Sequence, residues 1–185
     1  TGKFVKKFGA RGNAQGQFIT SHGLAIDSRN PARPLLLVCD RENKRLQHFD
    51  LEGNFVNIVI EGLRRPCAVS QWKDYLLVAE LAGRSVILDK DNKIVSVLGD
   101  NPIVEQHANF HVHHKDWKDA VFTAPHGGSF DQEGNIYIQD WNTFGRITKL
   151  HLSSNLTQED IASFEEKKSI LAARAARPEG EDFSP

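Results

Sequence analysis

Two histidines in the chain stand in matching contexts that could place a metal ion. His22 opens SHGLAID and His126 sits in APHGGSFD, each at the head of a strand-like run that ends in an acid. Neutral imidazole binds zinc at about 2.0–2.1 Å, and a catalytic zinc with three protein ligands keeps a position for water or substrate. If the strands behind them converge, His22 and His126 are metal ligands; otherwise they are hydrogen-bonding residues at the mouth of a funnel. Cys67, in PCAVSQW, occupies the corresponding place between them. It is read first as a small buried residue and second as a soft ligand. Ser21 beside His22 makes no catalytic triad, because triads are spatial and not sequential.

A denser group, His111, His113 and His114, lies in the stretch DNPIVEQHANFHVHHKDWKDAVF, residues 100–122. His111 and His113 would share a face if extended. No C-x-x-C spacing accompanies them, so the group is read as a surface loop before a metal site. His48 falls on an outer strand and is expected to face solvent or a partner.

The elements that must position these residues recur three times. The first copy reads as strands His22–Asp27, Leu35–Asp40, Lys44–Asp50 and Asn54–Ile60. The second reads Cys67–Gln71, Tyr75–Glu80, Arg84–Asp89 and Lys93–Leu98, and the third His126–Asp131, Asn135–Asp140 and Arg146–Leu152. Gly, Asn and Asp fill the connecting turns, as hairpins require. Four short strands in a repeat of about 40 residues describe a propeller blade, so the fold class is all-β. Lys3–Phe8 fits the outer strand of a preceding blade. Three blades fall short of the four to eight that close a propeller, and further blades are expected from the rest of a longer chain. Asp40, Glu80 and Asp140 each end a second strand; they are expected to cap turn amides and pair with Arg45, Arg84 and Arg146. Trp72, Trp117 and Trp141 are read first as packing between blades and second as the lining of a ligand surface.

Residues 1–152 thus form the blades, interrupted before the third by the histidine-rich insertion. Residues 153–185 form a separate tail. Thr157 with the acids after it resembles a helix start, Ile161, Phe164, Lys168 and Leu171 share a face, and Pro178 ends the run. Glu179–Pro185 is expected to be disordered.

GKFVKKFG, HGLAID and ENKRLQHFDLEGNFV together resemble the NHL repeat of six-bladed β-propellers, over about residues 3–152. DRENKRLQHF, residues 40–49, is most similar to the peptidyl-hydroxyglycine α-amidating lyase branch and to related bacterial propellers. The resemblance implies a zinc at the propeller axis, held by histidines that open inner strands of different blades. It implies cleavage of a peptidyl-α-hydroxyglycine to a peptide amide and glyoxylate. His22 and His126 match the ligand context, and Arg64 and Arg65 fall where the lyases carry an active-site arginine. The lyases' remaining histidine and their tyrosine come from blades outside these residues. The family places an Asp after its third histidine, near a structural calcium; Gly127 stands there, so calcium is not expected. A secreted or extracytoplasmic location follows from the resemblance alone.

Composition narrows the classes. The 185 residues are 39% hydrophobic and 25% charged with a net charge of −1, so no basic stripe argues for nucleic acid. No apolar run reaches the roughly 20 residues that span a bilayer. No signal peptide is visible at the start, and the absence of methionine marks a processed product or a piece of something longer. Cys39 and Cys67 are too few for a disulfide framework. Two functions stand: a zinc-dependent lyase-like propeller that contacts a peptide substrate through Arg64 or Arg65, or a non-catalytic propeller that binds a protein or other ligand.

Overall fold

The computed structural model describes residues 2–151. The predicted helical tail, 153–185, lies outside them. The described chain is all-β. A short pair, β1 (Ala10–Arg11) and β2 (Gln17–Phe18), precedes two four-stranded antiparallel sheets and one of three strands. The first sheet holds β3 (Ser21–Asp27), β4 (Leu35–Asp40), β5 (Arg45–Phe49) and β6 (Phe55–Glu61). The second holds β7 (Pro66–Trp72), β8 (Tyr75–Glu80), β9 (Arg84–Leu88) and β10 (Ile94–Leu98). The third holds β11 (Pro125–Phe130), β12 (Ile136–Asp140) and β13 (Arg146–Leu150). Each sheet runs up and down in sequence order, which is the blade expected from the repeats. The first strand of every blade meets the next: β3 packs on β7, and β7 on β11.

Strand periodicity explains how the blades stack. Successive side chains point to opposite faces, so β8 sends Leu76 and Val78 toward the first blade and Leu77 toward the third. Strand β9 divides likewise, with Val86 and Leu88 on one side and Ile87 on the other. Two apolar layers result, one among Leu37, Cys39, Leu46, Val69 and Val78, the other among Leu77, Phe122, Ile136 and Ile138. Trp72 stacks on Phe130 across the second and third blades at 5.9 Å, as inter-blade packing predicts.

Two expectations need correction. Lys3–Phe8 forms no strand; the first ladder joins β1 and β2. Phe8 instead packs its ring 5.4 Å from Phe49. His48 is not exposed. Every residue of β5 is buried, since both faces of the blade are covered there. The His48 Nε2 lies 3.0 Å from Asp27 Oδ2. Arg29 grips the same carboxylate and donates to the Asp89 carbonyl at 2.7 Å and to Asn92 Oδ1 at 2.7 Å, tying the first blade to the second. Burial of Asp27 raises its pKa, but the hydrogen bonds from His48 and Arg29 outweigh it and hold the carboxyl well below the usual range.

The three acids behave as the sequence implies. Asp40 accepts from Ile19 N–H at 2.9 Å and from Arg45 Nε at 2.8 Å. Asp140 accepts from Thr123 N–H and Ala124 N–H, both at 2.8 Å, and from Arg146 Nε at 2.9 Å. Glu80 accepts from Arg84 Nε and from the Arg64 N–H. All three carboxylates are fully buried, and buried charge is tolerated only when paired and hydrogen-bonded in this way.

Candidate functional site

The acid belt sets the geometry of the site. In each blade the first residue of the inner strand pairs with the belt acid: Ser21 with Asp40, Pro66 with Glu80, Pro125 with Asp140. The register then slips directly afterwards in all three, between Ser21 and Leu24, Pro66 and Ala68, and Pro125 and Gly127. His22, Cys67 and His126 occupy those slips. A bulge bends a strand and re-aims the side chain it carries. Here it turns three equivalent side chains toward one point.

Their donor atoms all lie within 4.8 Å of one another, and among the described residues no other group of three or more His, Cys, Asp or Glu does so. The His22 and His126 rings meet edge to face with centroids 4.8 Å apart. The His22 Nδ1 lies 2.8 Å from the Cys67 carbonyl oxygen. A carbonyl only accepts, so Nδ1 carries the proton and the Nε2 lone pair is left free. Gly23 permits this approach: a Cβ there would come within 2.3 Å of the Cys67 oxygen.

Cys67 is buried with Leu81 and Ala124, which form an apolar floor. His22 and His126 are half-buried. Burial, followed by the neighbouring His22 and Arg41, pushes His126 below the ordinary histidine value, so its ring is neutral near neutral pH. Burial pushes the Cys67 thiol up, with Arg41 partly offsetting it. Two imidazoles and a thiol suit zinc, and tetrahedral bonds of about 2.0–2.3 Å require ligand atoms about 3.5 Å apart. The present spacing is wider, so an inward movement of roughly 1 Å completes the set.

Arg64 and Arg65 part company. Arg64 donates to Asp100 Oδ1 at 2.7 Å, tying down the start of the insertion. Arg65, two residues before Cys67, binds Glu42 at 2.9 Å and remains partly exposed. Sequence reading missed Arg41 and put packing ahead of a ligand surface for Trp141. Each directly follows a belt acid, and each donates its N–H to the residue two before a donor: Arg41 to Thr20 O at 3.2 Å, Trp141 to Ala124 O at 2.8 Å. Leu81 does the same to Arg65 O at 2.9 Å, so the position after the acid was the available signal. Arg41 puts its positive charge beside Cys67 and donates from Nε to Glu42 Oε1 at 2.8 Å. Trp141 lies 5.6 Å from the His126 ring.

The insertion contains two 3-10 turns, Val104–Gln106 and His114–Asp116. Its histidines do not converge on one another as a metal set. His111 packs on Phe110, and His113 Nδ1 accepts from Lys115 N–H at 3.2 Å. The loop reading holds for them. Both cysteines are free thiols, not a pair.

No family model and no curated protein matches the chain. Among solved structures it is similar to a gluconolactonase from Xanthomonas campestris, with 16% identity and a TM-score of 0.48, covering 68% of this chain and 36% of that one. A protein of unknown function from Bacteroides caccae gives the same identity and TM-score, over 68% of this chain and 44% of that one. The chain therefore spans less than half the length of either solved structure to which it is similar.

Proposed function

We propose that these blades belong to an NHL-type propeller, six-bladed when complete, with a zinc site at its axis and a lyase-like activity on a peptide-derived substrate. The observation that carries the reading is the slip in register at the same place in three blades, which brings His22, Cys67 and His126 together. His22 and His126 are the imidazole ligands, and Cys67, at the equivalent strand head of the blade between them, is a soft third ligand. Zinc bound there would supply a Lewis acid for a substrate hydroxyl or carbonyl. The chain's own groups do the rest. The Cys67 carbonyl orients His22. Leu81 and Ala124 keep water from beneath the site. Arg65, partly exposed beside Glu42, is placed to contact the substrate, while Arg64 is engaged by Asp100. Exposed Leu24 and Ile26 on the first inner strand support further blades packing against that flank. A secreted or extracytoplasmic place accompanies this reading, and calcium does not.

A second reading rests on a different observation. The insertion settles on the same mouth and leaves Trp141 and Phe144 partly exposed, as a binding platform without catalysis would. Zinc content separates the two. The product of the complete gene is expected to hold about one zinc per chain, lost in a His22→Ala, His126→Ala double variant. A zinc-free protein, or zinc indifferent to both changes, would leave the platform as the answer. With zinc present, release of glyoxylate from hydroxyglycine peptides tests the lyase step.

A further inference from the structure

The insertion is held to the mouth of the second and third blades by its backbone. Ala108 N–H donates to Leu81 O at 3.1 Å and to Thr123 O at 3.0 Å, and Thr143 N–H donates to Phe110 O at 2.9 Å. Asn142 Nδ2 donates to Val112 O at 3.0 Å. These bonds seat the Phe110 ring on Trp141, stacked with centroids 4.6 Å apart. Trp141 in turn stands 5.6 Å from His126, and is 45% exposed. An aromatic wall therefore begins at the donor cluster and runs outward along the third blade. The first two blades add charge beside Cys67. Arg41 and Arg65 share the single carboxylate of Glu42, which leaves one positive charge beside Cys67. The contacts among the His22, His126 and Trp141 rings do not need that charge, and the charge does not need the wall. A ligand that uses both has an anionic end and a flat apolar end.

We propose that the mouth binds a small arylalkyl carboxylate or an equivalent oxyanion, with its acid group on the Arg41 side over His22 and His126 and its aromatic or large apolar group on Trp141 and Phe110. This rests on the axial site of the proposed function and names the substrate class for it. The face of a ring prefers offset-stacked or edge contacts with another ring, so a flat group gains more on Trp141 than an aliphatic one of equal size. A guanidinium favours a planar carboxylate over a neutral amide.

The test uses the complete gene product and three probes: phenylacetate, acetate and phenylacetamide. Binding is measured by calorimetry, on zinc-loaded protein and on protein stripped with a chelator. Phenylacetate is expected to bind about tenfold tighter than acetate and about tenfold tighter than phenylacetamide. Trp141→Ala and Phe110→Leu should collapse the first ratio toward unity and spare the second; Arg41→Gln should do the reverse. Circular dichroism and zinc content of each variant confirm that the fold and the donors survive, and Trp141→Phe should restore most of the first ratio if a variant folds poorly. Equal binding of phenylacetate and acetate by the unaltered protein, in both metal states, would overturn the proposal. So would ratios indifferent to Trp141 and Arg41. If the loaded protein holds no zinc but the ratios appear in the stripped form, the metal reading fails and the ligand class stands.

Discussion

The belt acids and the strand heads sit next to one another in every blade, yet they are built on opposite terms. Asp40, Glu80 and Asp140 are buried, and each is met by a backbone N–H and an arginine. One step along the inner strand, His22, Cys67 and His126 differ in type and converge on each other. Nothing on the belt is left to bind a ligand, because its hydrogen-bonding capacity is spent within the blade. The strand heads keep donor atoms for something outside the chain. A repeated position with one chemistry, fully satisfied, serves the fold; a repeated position with mixed chemistry, displaced by a bulge, serves a site.

Breaking the belt should have the largest effect. Asp40→Ala leaves the buried Arg45 guanidinium without its carboxylate. Removing one partner of a buried ion pair costs about 3–5 kcal/mol, which urea denaturation would register as a large drop in midpoint. A change under 1 kcal/mol would mean the belt is not structural. Next comes the blade-to-blade tie. Arg29→Ala removes hydrogen bonds to Asp27, Asp89 and Asn92 and is expected to cost about 2 kcal/mol.

The strand heads should respond the other way. Cys67→Ser is expected to lower stability by no more than about 1 kcal/mol while reducing zinc affinity at least tenfold. Zinc-loaded protein with cobalt substituted should also lose its thiolate charge-transfer band in this variant. An unchanged band would remove Cys67 from the ligand set. Alkylation of the native metal-free protein should be slow at both thiols, because burial raises Cys39 strongly and Cys67 less so. Rapid labelling of Cys39 before unfolding would show that the layer between the first two blades opens.

A further effect concerns acid. Asp27 is a buried carboxylate outside the belt, and its folded pKa is depressed. Its stabilisation is therefore complete above the unfolded value of about 3.9 and is lost as pH falls below it toward the folded value. Asp27→Asn should flatten the fall in stability below about pH 4 and leave the neutral range with a constant offset. An unaltered acid limb would show that other carboxylates control it.

Much of this was legible in the residues. The strands Leu35–Asp40 and Tyr75–Glu80 were read to the residue, because alternation ending in an acid before a polar turn has one local solution. The acid–arginine pairing was legible for the same reason: partners four to six positions apart across a hairpin must meet. His48 was misread, since a single strand cannot announce that both its faces are covered. Cys67 was ranked as filler, Trp141 was ranked as packing and Arg41 was passed over, because their meaning lies in what other blades bring near them.

The sequence by itself determined the blade: its strands, its turns, its belt of acids and the equivalence of residues 22, 67 and 126. Those follow from interactions that close within about 20 residues. Only the tertiary structure decided that the three equivalent residues share a point and that the insertion lays an aromatic wall beside it. The physical reason is the slip in register. A bulge is set by how β3, β7 and β11 pack on one another, and Gly23 against the Cys67 carbonyl is a contact between residues 44 positions apart that no local pattern encodes.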